Sequence, residues 1–277
     1  MITCILLGGL GNQLFQVFNV ISLSLSNNEE FCFDISKQPL GIPKRNVYWF
    51  TFFRNLNKYY VKNIIVHIKI NEKSFNYNPL PLSFDKHIVY SLYGYFQSFK
   101  YFHEYKEKIF ELLNLNLIKK YISTKLNIDF TNIISIHFRI GDYKYKQDCH
   151  PILPIEYYIN SLNFIKEKDL NFNNKKFLYI FEHDDLKDVY ENINIIRKHF
   201  SNTFIYIDKS LSDWEQLITM SLCKYNIIAN SSFSWWGSYF NENNKPIICY
   251  PSLWFGEKLN NNTKDLFLKE WNRIEII

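Results

Sequence analysis

The chain has 277 residues, 47% of them hydrophobic and 21% charged, with a net charge of +5. That length and balance allow a large core and exclude a disordered or fibrous chain. The positive charge is scattered over many lysines with no long basic run, so it suits an anionic small molecule and argues against a nucleic-acid partner.

In chain order, Ile2–Leu7 is a short apolar run that reads as a buried strand. A glycine turn follows at Gly8, Gly9 and Gly11, and helical spacing is predicted over Gln13–Leu25. Phe31–Ile35 is the next strand, and residues 36–90 read as irregular. A second series begins near residue 131. It comprises strand Asn132–Phe138, helix Pro154–Lys168 with Pro154 in its first turn, strand Phe177–Phe181 and helix Leu186–Ile193. It continues with strand Phe204–Ile207, helix Asp213–Cys223 with Ser212 or Asp213 as its cap, and strand Asn226–Ala229. Helix Phe233–Tyr239 and strand Ile247–Tyr250 follow, and the last fifteen residues hold a short helix or strand. This alternation predicts an α/β fold of two Rossmann-like domains facing a cleft, residues 1–130 and 131–277.

Composition adds two expectations. Aromatic residues reach 18%, while Ala229 is the single alanine, which reads as compositional drift rather than an aromatic binding function. The five cysteines (Cys4, Cys32, Cys149, Cys223 and Cys249) show no C-x-x-C and no zinc spacing, so they read as free thiols of a reducing compartment. The N-terminus lacks a basic n-region and Gly, Asn and Gln interrupt its apolar run, so neither a signal peptide nor a membrane span is expected. A cytoplasmic protein is the expectation.

Ligands of parallel α/β sheets bind at the carboxyl ends of the strands, and three polar clusters fall at such ends. The first is the loop containing Gly9 and Gly11, with Asn12 and Gln13, whose amides and backbone N–H groups suit hydroxyls or phosphate oxygens. The second is His137 to Tyr143. Period two places His137 and Arg139 on one side, and an Arg there can clamp a diphosphate, with Asp142 close enough to orient it or act as a base. The third is Asn230, Ser231, Ser232, Phe233 and Ser234, whose hydroxyls and helix-start amides form an anion nest, followed by Trp235 and Trp236, which read as core. No metal is expected, because D-x-D and H-x-x-x-H are missing, and no Walker or G-x-S-x-G motif is present.

Together, GGLGNQLFQ (8–16), GYFQSFKYF (94–102), SIHFRIGDY (135–143), MSLCKYNIIANSSFSWWG (220–237) and PSLWF (251–255) resemble the inverting α-1,2-fucosyltransferase family, glycosyltransferase family eleven, in its soluble bacterial or viral form. The resemblance implies a GT-B-like fold and a GDP-fucose donor. It also implies a galactose-like acceptor glycan taking L-fucose on its 2-hydroxyl, with neither a metal nor another cofactor. By position it implies that Arg139 holds the donor diphosphate and that His137 lies near the nucleotide. Asn230, Ser231, Ser232, Phe233 and Ser234 would line the donor pocket, with Gly9, Gly11, Asn12 and Gln13 facing it from the other domain. Asp142 and then Asp148 are the residues offered as catalytic base.

Two positions depart from the family pattern. Ile140 stands where the family has a second Arg, and Gln216 stands where it often has an acidic residue. A carboxylate accepts from both guanine N–H groups, so guanine would be read here through the neighbouring Glu215 or Asp213. These departures keep two alternatives open. One is a transferase for another 6-deoxy sugar or for a UDP or dTDP donor. The other is an inactive glycan- or nucleotide-binding protein.

Overall fold

The computed structural model describes residues 1–41, 44–206, 211–259 and 261–276. The chain divides into two compact units, Met1–Ile118 with Asn262–Leu268, and Lys119–Asn261 with Lys269–Ile277. Both are α/β, and every strand pairing among the described residues is parallel.

In the first unit, β1 (Ile2–Cys4) leads through the glycine loop into α1 (Leu10–Asn27). β2 (Phe33–Asp34) pairs with β3 (Tyr60–Val61). β4 (Ile68–Asn71) and β5 (Tyr90–Tyr93) join β1 in a sheet ordered β1-β5-β4. α2 (Lys106–Leu113) follows, and α3 (Leu115–Leu126) runs from this unit into the next. Much of the aromatic excess is core here. Phe15 and Phe18 meet Phe102, Phe18 also meets Phe110, and Trp49 packs on Phe33 and Phe53. The late segment is tied in by Asp265, which accepts from Lys100 Nζ at 2.5 Å, and by its carbonyl, which accepts from buried Ser98 at 2.6 Å.

Three expectations change in this unit. β1 stops at Cys4 rather than Leu7, which forms only an isolated bridge with Leu40. α1 starts at Leu10, three residues early, because extended Gly9 serves as its cap and Gly11 falls inside the first turn. Residues 36–90, read as irregular, supply β3 and β4 and the start of the central strand β5. β4 carries mostly exposed residues at the sheet edge, so it presents no apolar run.

The second unit contains β6 (Ile133–His137), α4 (Ile155–Lys168), β7 (Lys176–Ile180), α5 (Leu186–His199), β8 (Phe204–Tyr206) and α6 (Asp213–Leu222). β9 (Tyr225–Ile227), α7 (Ser232–Tyr239), β10 (Ile248–Pro251) and β11 (Asn272–Ile274) complete it. The sheet order β11-β10-β9-β6-β7-β8 is the doubly wound dinucleotide-fold order, with β6 as its first strand. Ile134 and Ile136 point into a core shared with Tyr157, Leu162, Val189 and Ile193, which belong to α4 and α5. Ile133 joins a separate cluster with Leu178 and Cys223. Each fully buried Ile or Phe removes apolar surface worth about 1.5–3 kcal/mol.

α6 and α7 approach closely at Gly237, where a Cβ would lie 2.9 Å from the Met220 Cβ. Trp235 and Trp236 are fully buried, and Trp235 stacks on Tyr239 at 4.9 Å, so the pair is core as expected. Ser212 caps α6, whereas Pro154 precedes α4 as its cap rather than standing in its first turn. α5 runs six residues beyond the predicted end, since Ile196 adds a further buried turn. Ile207, the predicted end of β8, lies outside the described residues.

Candidate functional site

From β6 the second unit's chain winds to one side through β7 and β8, then returns to the other side as β9 and β10. The loops leaving β6 and β9 therefore diverge from neighbouring strands, which is where such sheets bind ligands. Two tyrosines of α4 pin these strand ends. Tyr158 donates to His137 O at 3.3 Å, and Tyr157 donates to Ile228 O at 2.6 Å and Cys249 O at 3.1 Å.

Arg139 follows β6, and its side chain is only 12% exposed. Its Nη1 donates to Glu182 Oε1 at 2.5 Å and its Nη2 to Asp142 Oδ1. Its guanidinium lies 4.7 Å from the ring centre of Tyr143, whose hydroxyl donates to Asn230 O at 3.0 Å. Tyr143 thus joins the loop after β6 to the loop after β9, and the second and third sequence clusters meet there.

Gly141 makes this packing possible. Its φ is +28°, and a Cβ would lie 2.7 Å from both Arg139 Nη1 and Glu182 Oε2. Its N–H donates to buried Asp185 at 2.6 Å, and Lys144 reaches Asp188 at 2.7 Å and Asp185 at 3.6 Å.

His137 is buried, with its ring 5.3 Å from Phe233 and its Nδ1 without a hydrogen-bond partner. Burial, and then the Arg139 charge, push its pKa down to about 3, so the imidazole is neutral at physiological pH. Buried Asn230 donates through Nδ2 to Pro151 O at 2.9 Å and Trp254 O at 3.3 Å, and its Oδ1 is unpartnered. Ser231 caps α7, its hydroxyl accepting from Phe233 N at 3.3 Å. Ser232 and Phe233 are half-buried in the first turn of α7. Ser234 is fully buried and donates to Ala229 O and Ser231 O, so its hydroxyl faces the helix start rather than a ligand. His150 stacks on Tyr143 at 5.0 Å, and burial lowers its pKa.

Not every predicted residue joins this group. Asp148 is exposed and pairs with Lys258 at 3.1 Å, which lowers its pKa. Glu215 is engaged elsewhere, in the first turn of α6. Its Oε2 accepts from Ser212 N at 2.9 Å and Ser212 Oγ at 2.8 Å, and its Oε1 accepts from Lys125 at 2.7 Å. Burial raises its pKa, but Lys125 and Ser212 together bring it below the usual carboxylate range. Gln216 donates to Leu211 O at 3.1 Å, and Ile140 is core, packed with Phe138 and Leu153.

In the first unit, Gly9 caps α1, and Gly11 and Asn12 lie in its first turn. Asn12 Oδ1 accepts from Gln97 at 2.8 Å, a residue not singled out in the sequence although it sits in a quoted segment. Gln13 does not face outward. It is fully buried, and its Nε2 donates to Gly8 O at 3.0 Å and Asn46 O at 2.8 Å. The residues that sequence reasoning missed in the second unit are Glu182 and Asp185, while Tyr143, inside the second cluster, was given no role of its own. The signal for Glu182 and Asp185 is an acidic run directly after the FLYIF strand.

Among the described residues, no group of three or more His, Cys, Asp or Glu could hold a metal ion, and no helix is long and apolar enough to cross a membrane.

The sequence model of the family described as Glycosyl transferase family 11 matches residues 1–275. The chain is 34% identical over 188 residues to an Alpha-1,2-colitosyltransferase of Escherichia coli, covering 66% of this chain and 61% of the relative. It is 30% identical over 195 residues to the O-antigen biosynthesis glycosyltransferase WbnK of Escherichia coli, covering 66% of this chain and 60% of the relative. The chain thus spans about three-fifths of these curated relatives. Among solved structures, POFUT1 in complex with GDP-fucose is a remote likeness, with TM-score 0.48 and 12% identity over 90% of this chain and 97% of that one.

Proposed function

The chain belongs to glycosyl transferase family 11, and from that premise we propose that it transfers L-fucose from GDP-fucose to the 2-hydroxyl of a galactose-like sugar, with inversion. The observation that carries this reading is the meeting of Arg139 with the start of α7 through Tyr143 at the crossover of a doubly wound sheet. When the sugar–phosphate bond breaks, negative charge grows on the leaving diphosphate. A fixed guanidinium and the helix-start N–H groups stabilise that growth more than they stabilise the bound donor. Neutral His137 adds no competing charge beside Arg139. Asp142, bonded to Arg139, and Asp148 are the carboxylates offered for the acceptor proton. Glu215 holds the α6 cap, so Asp213, whose Oδ1 accepts from Trp214 N at 2.8 Å, is the carboxylate offered for guanine. A nucleotide-sugar donor and a glycan acceptor are the partners, and the chemistry needs no metal when Arg139 and backbone N–H groups neutralise the leaving group.

A second reading keeps the site and changes the sugar. The relative named a colitosyltransferase favours a colitosyl donor in place of fucosyl.

Calorimetry with GDP, UDP and dTDP in the presence of a chelator tests the donor. GDP is expected to bind in the low micromolar range, and preference for UDP or dTDP would sink the GDP reading. Arg139→Ala is expected to abolish turnover with the fold retained by circular dichroism. Normal turnover in that variant would remove the diphosphate role.

A further inference from the structure

The guanidinium that takes the diphosphate in the function proposed above is held in this structure by two carboxylates from different loops. Nη1 donates to Glu182 at 2.5 Å and Nη2 to Asp142. One positive charge faces two negative ones. Lys146 lies 3.9 Å from Asp142, while Lys144 is engaged by Asp185 and Asp188. With Lys146 counted, the group around Arg139 is neutral, so a diphosphate arriving there meets a guanidinium whose charge is already matched unless a carboxylate yields its place.

The two carboxylates are not equivalent. Asp142 sits three residues from Arg139 on the same short turn, and its side chain is 34% exposed. Glu182 comes from the loop after β7 and is 57% exposed. Withdrawing it into water costs little, since an exposed ion pair contributes little to stability. Its position is nonetheless specific. It lies over Gly141, where any Cβ would meet Glu182 Oε2 and Arg139 Nη1 alike at 2.7 Å. Glu182 thus engages Nη1 of Arg139, the nitrogen not bonded to Asp142.

We propose that Glu182 sets donor affinity by exchange. Its carboxylate holds Arg139 in place, gives way to the diphosphate when donor binds, and takes Arg139 back as the nucleoside diphosphate leaves. The inference rests on Arg139 being the diphosphate ligand. It makes binding weaker and release faster than Arg139 alone would give.

The test is calorimetric titration of the full chain with GDP, inorganic pyrophosphate and guanosine. Glu182→Gln is expected to tighten GDP and pyrophosphate about two- to fivefold and leave guanosine unchanged. Asp184→Asn removes a neighbouring carboxylate with no bond to Arg139, and is expected to change neither phosphate ligand. In an Arg139→Ala background, Glu182→Gln is expected to lose its effect. Equal or weaker binding in Glu182→Gln overturns the exchange and makes Glu182 a support of Arg139, and equal tightening by Asp184→Asn overturns it in favour of general charge. If pyrophosphate behaves as expected while GDP binds no variant, the nucleotide reading fails and the exchange stands.

Discussion

Asp142 and Asp148 lie close in sequence, yet their surroundings separate them as proton acceptors. Asp142 is bonded to Arg139, whereas Asp148 is exposed and held by Lys258, which lowers its pKa and weakens it as a base. Removing a general base costs about 10²–10⁴-fold in rate. Asp142→Asn is therefore expected to lower kcat at least about a hundredfold and to raise the donor KM, because it also frees one end of Arg139. Asp148→Asn is expected to stay within about tenfold of the native kcat. The opposite ranking, measured at saturating donor, would move the base to Asp148. At this scale the sequence was legible where a side chain's task depends on its own strand. His137 ends β6 and Arg139 follows two residues later, near enough for its charge to act on the imidazole. It was illegible where the task depends on a distant partner. Glu182 is 43 residues from Arg139, and no local pattern ties the two together. Gln13 has polar chemistry suited to a ligand, but its Nε2 is spent on the Gly8 and Asn46 carbonyls and its Oε1 is buried.

At the scale of elements, α6 shows how a chemically suitable residue can serve another purpose. Glu215 is both the third residue of the helix, reaching back to Ser212, and the partner of Lys125 from α3. Ser212→Ala is expected to cost about 1 kcal/mol, read as a lower urea midpoint. Glu215→Gln is expected to lower the midpoint as well while leaving GDP affinity within twofold. An unchanged midpoint with weakened GDP binding would return Glu215 to the guanine site. Strands with continuous apolar runs, such as β6 and β7, were legible because they are buried on both faces. β4 and β5 were not, because IKIN and YSLY are short and partly exposed and draw their order from neighbours.

For the whole molecule, acid stability follows from buried carboxylates in both units. Burial raises the pKa of Asp34, Asp169, Asp265 and Glu215, yet hydrogen bonds, joined by nearby Lys charges at all but Asp34, hold each below the usual carboxylate range. A depressed carboxylate pKa contributes stability that is present above the unfolded pKa and is lost as pH falls through the folded one. His137 acts in the same direction. Its folded pKa of about 3 lies below the ordinary 6.5, so its contribution begins to fall below pH 6.5. The urea midpoint is expected to be lower at pH 4 than at pH 7. A midpoint that stays level or rises on acidification would contradict these assignments.

By itself the sequence determined the α/β class, the strand–helix order of the second unit and the loops that carry Arg139 and Asn230. Those features follow from periodic burial and from residues at strand ends, which are local in the chain. Only the tertiary structure decided that Asp265 belongs with Lys100, that Glu215 caps a helix, and that Arg139 is shared by Asp142 and Glu182. The reason is that strand order sets which loops become neighbours. A parallel sheet brings the loops after β6, β7 and β9 to one edge across tens of residues, and the charge balance of the site arises only there.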